Sequence, residues 1–109
     1  MPNELKKIGG MLSLAKKAGK VVTGEESCEK AIQKGEAQLI LVATDASDNT
    51  KKKFTNKSNY YNVPLYSIFN KENLSSFIGM NNRATIVINC QNFGKKILEM
   101  MLTMEGKGG

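Results

Sequence analysis

The run Leu39-Ile40-Leu41-Val42-Ala43 constrains the fold of this chain more than any other feature. Its apolar residues follow one another without polar alternation, which marks a strand covered on both faces. Such a strand needs helices above and below it, and the flanking segments supply them. Leu5, Ile8, Met11, Leu12 and Ala15 recur at helical spacing and make one apolar face, with Lys6, Ser13 and Lys17 on another. Asn3 is the expected cap of this first helix and Gly19 its stop, with Lys16 and Lys17 at the negative end of the dipole. Gly9-Gly10 would weaken a helix by about 1 kcal/mol each relative to Ala. Their presence implies close packing or a late helix start.

The remaining elements alternate in the same way. Lys20-Val21-Val22-Thr23 reads as a short strand, and Gly24 turns it into a helix from Glu25 to Lys34, ended by Gly35. Cys28, Ala31 and Ile32 form the inner stripe of that helix; Ser27, Lys30 and Lys34 share an outer face. Ser47 caps a polar third helix reaching about Asn59. The Lys51-Lys52-Lys53 run on it reads as a solvated face. Val63-Pro64-Leu65-Tyr66 is a strand whose proline places it at an edge or a strand start. Asn70 caps a short helix, Lys71 to Phe77, stopped by Gly79. Ala84-Thr85-Ile86-Val87-Ile88-Asn89 is the last strand, and Asn92 opens a final helix with Phe93, Ile97, Met100 and Met101 on one side. Strands joined through helices imply an α/β fold. The expectation is a three-layer α/β/α sandwich with a four-stranded, largely parallel or mixed sheet. The chain of 109 residues suffices for one domain, 1–104, followed by a loose tail at 105–109.

Composition narrows the chemistry. Histidine is absent, so the commonest general base and metal ligand are missing. Cys28 and Cys90 are far apart and form no CxxC; buried free thiols in a reducing cytoplasm are the expectation. No catalytic triad, phosphate loop or metal cluster is legible, so neither an enzyme nor a cofactor is expected. Asp45 follows the central strand, where α/β proteins often place ligands, but such a residue is more commonly a turn residue. No segment has the length of a membrane span, and the N-terminus lacks the pattern of a signal peptide. The 16 Lys and Arg outnumber the 10 Asp and Glu, giving a net charge of +6, which suits an acidic partner such as nucleic acid. Arg83 is the sole arginine, the one place where a planar fork of donors is available.

The turn Thr23-Gly24-Glu25-Glu26-Ser27 is where these threads meet. Glycine permits close approach of a ligand to the backbone, and a starting helix offers unpaired N–H groups. Ser27 and Lys30 point outward one turn apart with Lys34 behind, a set suited to phosphate oxygens or guanine edges. Glu25 and Glu26 favour the helix dipole and repel phosphate, yet a carboxylate can accept from base amino groups. The plainer reading is an ordinary helix start.

Two stretches, Leu12-Ser13-Leu14-Ala15-Lys16-Lys17-Ala18-Gly19-Lys20 and Thr23-Gly24-Glu25-Glu26-Ser27-Cys28-Glu29-Lys30-Ala31-Ile32-Gln33-Lys34-Gly35, resemble the kink-turn-binding ribosomal protein superfamily. Leu39 to Ser47, Tyr60-Tyr61-Asn62-Val63-Pro64, Ile78-Gly79, Arg83 and the last strand extend the likeness, which is similar in particular to the bacterial YlxQ-like branch. The resemblance implies a role for several residues. The glycine and lysine of the family's Gly-x-Asn-Glu-x-x-Lys motif fall on Gly24 and Lys30. Its base-reading Asn and Glu fall on Glu26 and Ser27, which depart from the motif. In the family that pair reads the guanines of tandem sheared G·A pairs. A second family contact, the loop before the last strand, falls on Asn81-Asn82-Arg83-Ala84, where Arg83 would stack on a flipped base or pair with phosphate. Lys34 would join Lys30 in contacting guanine or phosphate, Lys17 and Lys20 would extend the positive field, and Glu25 and Asn82 complete the implied set of RNA-binding residues. The implied protein is a non-catalytic, monomeric binder of kink-turn-like RNA, ribosomal or otherwise non-coding, among ribosome or RNP proteins in the cytoplasm, with no membrane contact. The alternatives are a protein-interaction module of the same fold without RNA binding and a small-molecule site near Asp45.

Overall fold

The computed structural model describes residues 2–108, with side chains described through residue 104. Helix α1 spans Asn3–Lys17, β1 Val21–Thr23, α2 Glu25–Gln33, β2 Leu39–Val42 and α3 Asp48–Tyr61. Then follow β3 Leu65–Tyr66, α4 Lys71–Phe77, β4 Thr85–Ile88 and α5 Gln91–Gly108. The tail expected at 105–109 falls on residues whose side chains lie outside those described.

The four strands form one mixed sheet in the order β1-β4-β2-β3. Strand β4 runs antiparallel to both neighbours, pairing Val21 with Ile88 and Thr23 with Ile86 on one side, and Leu39 with Ile88 and Val42 with Thr85 on the other. Only β2 and β3 are parallel, with Ile40 opposite Leu65. Of the two arrangements expected, the sheet is the mixed one, as part of the three-layer α/β/α fold. A helix between two strands did not require them to be parallel neighbours here, because β4 enters between β1 and β2 from the far end. All residues of β2 and β4 are buried, as the unbroken apolar run predicts. Each large aliphatic side chain so placed stabilises the fold by about 1.5–3 kcal/mol. The strand with the proline lies at the sheet edge, beginning just after Pro64.

Helices α1, α4 and α5 pack together in one layer and α2 with α3 in the other. Ile8, Leu12 and Ala15 of α1 are buried, and Ile97 and Met101 of α5 meet the same core. Gly9 is the close-packing glycine: a Cβ there would overlap the ring of Phe77, itself stacked edge-on against Phe69 with centroids 4.9 Å apart. Ser13 reinforces the contact by donating to the carbonyl of Phe77 at 2.5 Å, so the polar face of α1 partly joins α4.

Several local boundaries differ from expectation. Asn3 is the first residue of α1 rather than its cap; Pro2 stands at the cap position with no side-chain bond. Lys20 lies before β1, and Lys34 is the C-cap of α2 rather than its last residue. Helix α3 continues past Asn59 to Tyr61, because Asn62 adopts φ 60° and closes it in the left-handed region. Cys28 is the buried free thiol expected, whereas Cys90 is only half-buried and directly precedes α5, which starts at Gln91. The caps at Ser47 and Asn70 form as expected, accepting from the backbone N–H of Thr50 and Asn73.

The two adjacent glycines of α1 make a paired test. Gly9→Ala forces the Phe77 ring to move and is expected to destabilise the protein by about 1–2 kcal/mol. Gly10, exposed with open space at the Cβ position, is expected to stabilise it by about 0.5–1 kcal/mol when changed to Ala. Urea unfolding of both variants checks the opposite signs.

Candidate functional site

Strand direction gathers the site. β1, β2 and β3 all run the same way and β4 runs against them. The residues after the first three strands and before the fourth therefore meet at one rim of the sheet: Gly24, Thr44 to Ser47, Ser67 to Asn70, and Asn82 to Ala84. Helices α2, α3 and α4 all start from this rim, so their N-terminal ends contribute partial positive charge to it.

The three starts are not equivalent. The hydroxyl of Ser47 accepts from Thr50 N at 3.2 Å in α3. In α4 the side chain of Asn70 accepts from Asn73 N and the Asp45 carboxylate from Lys71 N, each at 2.8 Å. Helix α2 has Gly24 at its cap position and no side-chain cap. Its first N–H groups are left to other acceptors. Gly24 has φ 88° and ψ 141°, a backbone state that disfavours any residue with a Cβ. A Cβ built there would stand 3.8 Å from Nη1 of Arg83.

Arg83 is held by its main chain. The hydroxyl of Ser75 accepts from Arg83 N at 2.7 Å and donates to its carbonyl at 3.3 Å. The preceding Asn82 has φ 53°, which turns the loop toward Gly24. Met80 in the same loop accepts from the Thr23 hydroxyl at 3.7 Å. Between loop and turn lies an open cleft of about 300 Å³ lined by Gly24, Ser47, Thr50, Lys71, Arg83 and Thr85 among others. Arg83 Nε and Thr85 Oγ1 are buried beside it without hydrogen-bond partners among the described residues. A shallower cleft of about 640 Å³ adjoins it, bounded by Asp45, Lys71, Ser76 and Asn82.

The carboxylates of the turn are already engaged. Glu25 accepts from the Thr50 hydroxyl and lies 3.6 Å from Lys53 Nζ, which also reaches Glu29 at 2.9 Å. The hydrogen bond to Glu29, then the Glu25 charge, raises the Lys53 pKa above its ordinary value. Lys51, Lys52 and Lys53 are all exposed, as a solvated face requires, and Lys53 in addition offsets two carboxylates beside the turn. Glu26 pairs with Lys30 at 3.5 Å, both largely exposed. An exposed pair of this kind is weak and readily exchanged for another partner. Ser27 is exposed on the same outer face.

Gly24, Glu25, Asn82 and Arg83 meet at the cleft on this rim, Glu26 and Ser27 follow in the first turn of α2, and Lys30, further along that helix, reaches back to Glu26. Lys17, Lys20 and Lys34 do not join the rim. Lys20 precedes β1, about 13 Å from Gly24 at strand spacing, and Lys34 is the C-cap of α2, about 15 Å away at helical rise. They and Lys17 are exposed at the opposite pole. Sequence reasoning missed Ser47, Thr50, Lys53, Lys71 and Ser75 as neighbours of the turn. Strand order brings them there, and the only local signals were the two helix starts. Asp45 acts as a cap on α4, and among the described residues no group of three or more His, Cys, Asp or Glu side chains is placed to hold a metal ion.

Cys28 lies under the turn, donating to the carbonyls of Val22 at 3.4 Å and Thr85 at 3.7 Å. Burial pushes its pKa up to about 12, so it is a packing group rather than a nucleophile.

With this geometry established, the chain belongs to the Ribosomal protein L7Ae/L30e/S12e/Gadd45 family, which matches residues 6–99. Among characterised relatives, the RNA-binding protein YlxQ of Bacillus subtilis (strain 168) is 38% identical over 91 residues, covering 84% of this chain and 91% of the relative. The RNA-binding protein YlxQ of Enterococcus faecium is 37% identical over 91 residues, covering 84% and 87%. A solved structure of a protein of unknown function from Bacillus halodurans superposes with a TM-score of 0.84 at 33% identity, covering 86% of this chain and 95% of that one. The Giardia lamblia 15.5kD RNA binding protein has the same fold, with a TM-score of 0.79 at 16% identity, covering 97% and 91%. No helix among the described residues is long and apolar enough to cross a membrane.

The two thiols provide a check on the packing beneath the site. Backbone N–H donation from Phe93 lowers the pKa of half-buried Cys90 below the ordinary 9.0. A thiol reagent at about pH 8 is expected to label Cys90 alone in the folded protein, because Cys28 remains protonated below its raised pKa. Both should label in urea. Rapid native labelling of a Cys90→Ser variant would show that Cys28 is not sealed beneath the turn.

Proposed function

We propose that this protein binds structured RNA of the kink-turn type, as a non-catalytic component or associate of ribosomal or other ribonucleoprotein particles. The observation that carries the reading is the uncapped start of α2 at Gly24, with the Arg83 guanidinium facing it across the cleft. Backbone N–H donors at a helix start suit phosphate or base acceptors, and Arg83 adds a planar cation that can pair with phosphate or stack on a base. Lys71 at the start of α4 supplies a further cation in the cleft lining, and Lys30 lies beyond it along the exposed face of α2. The names of the YlxQ relatives support an RNA partner for this chain as well.

The acidic turn then has a definite part. Thr50 and Lys53 hold Glu25 toward α3, which keeps its charge away from an incoming phosphate. Glu26 and Ser27 remain on the outer face of α2, where the family's base-reading pair would stand. On this reading Glu26 leaves Lys30 for a base amino group, and Lys30 turns to guanine or phosphate.

A second reading, a protein-interaction module without RNA binding, draws on the shallow apolar groove between α1 and α5. Gly10, Met11, Leu14 and Met100 line it between Lys7 and Lys96, and Leu14 is half exposed. That groove is on the layer opposite α2, so the two readings assign function to different faces.

A mobility-shift titration on a kink-turn RNA separates them. Wild type is expected to bind with strong salt dependence, and Lys30→Ala to weaken binding about tenfold while reducing the salt slope by about 1. Lys53→Gln, which leaves Glu25 and Glu29 uncompensated, is expected to weaken binding roughly threefold at low salt and less at high salt. Equal binding by wild type and Lys30→Ala, or no RNA binding even at low salt, would sink the site.

A further inference from the structure

Helix α3 has a feature that the cleft does not use. Its last two residues are tyrosines, and Tyr60 is 82% exposed, the largest exposure among the big apolar side chains described. Tyr61 is 38% exposed, and the two rings meet edge to face, with centroids 4.8 Å apart and planes inclined by 72°. Lys57 precedes them by three and four residues and so shares their side of the helix. We propose that Tyr60, steadied by Tyr61 and accompanied by Lys57, is a stacking platform for an unpaired nucleotide flanking the RNA bound at the Gly24 cleft.

Three observations carry this. The first is charge. Helix α3 has four lysines and a single acidic residue, Asp48; Lys53 is paired with Glu25 and Glu29, and Lys51, Lys52 and Lys57 remain to attract a phosphate backbone. The second is path. Thr50 lines the cleft, and Lys53, Lys57 and Tyr60 follow at intervals of three or four residues on the same side, ending about 15 Å from Thr50. A strand leaving the cleft in this direction passes Lys53, whose charge is shared with Glu25 and Glu29, then meets Lys57 and an aromatic face at the end.

The third observation is rigidity. The backbone beneath the rings is locked. Asn62 closes the helix in the left-handed region, its N–H donating to the Ser58 carbonyl. Val63 N donates to the same carbonyl at 3.0 Å, and the Ser58 hydroxyl donates to the Val63 carbonyl at 2.5 Å. The edge-to-face contact restrains the Tyr60 ring while leaving most of it to solvent. A base stacking there meets a surface already ordered, so little entropy is lost on contact. Stacking on an aromatic ring tolerates any base, so the platform would select an unpaired nucleotide rather than a sequence.

The inference rests on the RNA-binding reading for its partner, and the test keeps the two separable. The probes are a blunt kink-turn hairpin, the same hairpin with an unpaired uridine tail at either end, and a uridine oligonucleotide alone. Wild type is expected to bind one tailed hairpin about tenfold more tightly than the blunt one. Tyr60→Ala, at a solvent-exposed position, should remove that advantage and leave blunt-hairpin affinity unchanged, whereas Tyr60→Phe should retain it. The chain has no tryptophan, so Tyr60→Trp introduces a single indole whose fluorescence the favoured tail should quench and the blunt hairpin should not. Equal binding of blunt and tailed hairpins by wild type, or a tail advantage that survives in Tyr60→Ala, overturns the platform while leaving the cleft intact. Quenching by the oligonucleotide without binding of any hairpin supports the platform and overturns the kink-turn reading. No quenching and no binding by any probe overturns both.

Discussion

The structure depends on the insertion of β4, reversed, between β1 and β2. Its four residues are buried on both sides and pair with both neighbours, so the last strand of the chain completes a core begun near the N-terminus. Hydrophobic burial drives that insertion, and the functional geometry follows from its direction. A parallel β4 would begin at the opposite pole of the sheet and carry Arg83 away from Gly24. The antiparallel course brings the loop before β4 to the same rim as the turn after β1. The separation of those residues in sequence is bridged by strand order alone.

The two helical layers divide the remaining work. On the α1–α4–α5 side, Gly9 lets α1 approach Phe77, and Ser13 satisfies a carbonyl at the end of α4. This packing supports the loop that carries Arg83. On the α2–α3 side, polar contacts set the position of the turn. Thr50 and Lys53 bind the carboxylate of Glu25, and Lys53 extends to Glu29. Acidic residues in the first turn stabilise α2 through its dipole, and this network limits the repulsion they would otherwise offer an anionic ligand. The charges that favour the helix start are thereby balanced within one cluster of side chains.

Most of the architecture was legible from periodicity. The apolar run at Leu39–Ala43 identified the central strand, Pro64 the edge, and Ser47 and Asn70 the caps. Strand direction was less legible, because a helix between two strands constrains a crossover only if those strands become neighbours. The left-handed closure at Asn62 and the absence of a side-chain cap at Asn3 depended on local competition that composition does not reveal. Within the site, Gly24, Lys30 and Arg83 could be picked out, through a turn, a family motif and the uniqueness of one arginine. The contributions of Thr50, Lys53, Lys71 and Ser75 could not, since each acts across the fold rather than along the chain. Lys17 and Lys20 were grouped with the turn by charge and Lys34 by helical spacing, and chain geometry carries all three to the other pole.

The grip of Ser75 on Arg83 has a consequence for how such a protein can change. The hydroxyl engages only the N–H and C=O of residue 83, groups that every amino acid but proline possesses. The path of the loop is therefore insulated from the identity of the side chain it presents. Substitution at this position can exchange a cation for an apolar or aromatic group without re-laying the backbone around it. The loop behaves as a socket: the mounting is conserved by physics, and the fitting is free to evolve with the partner.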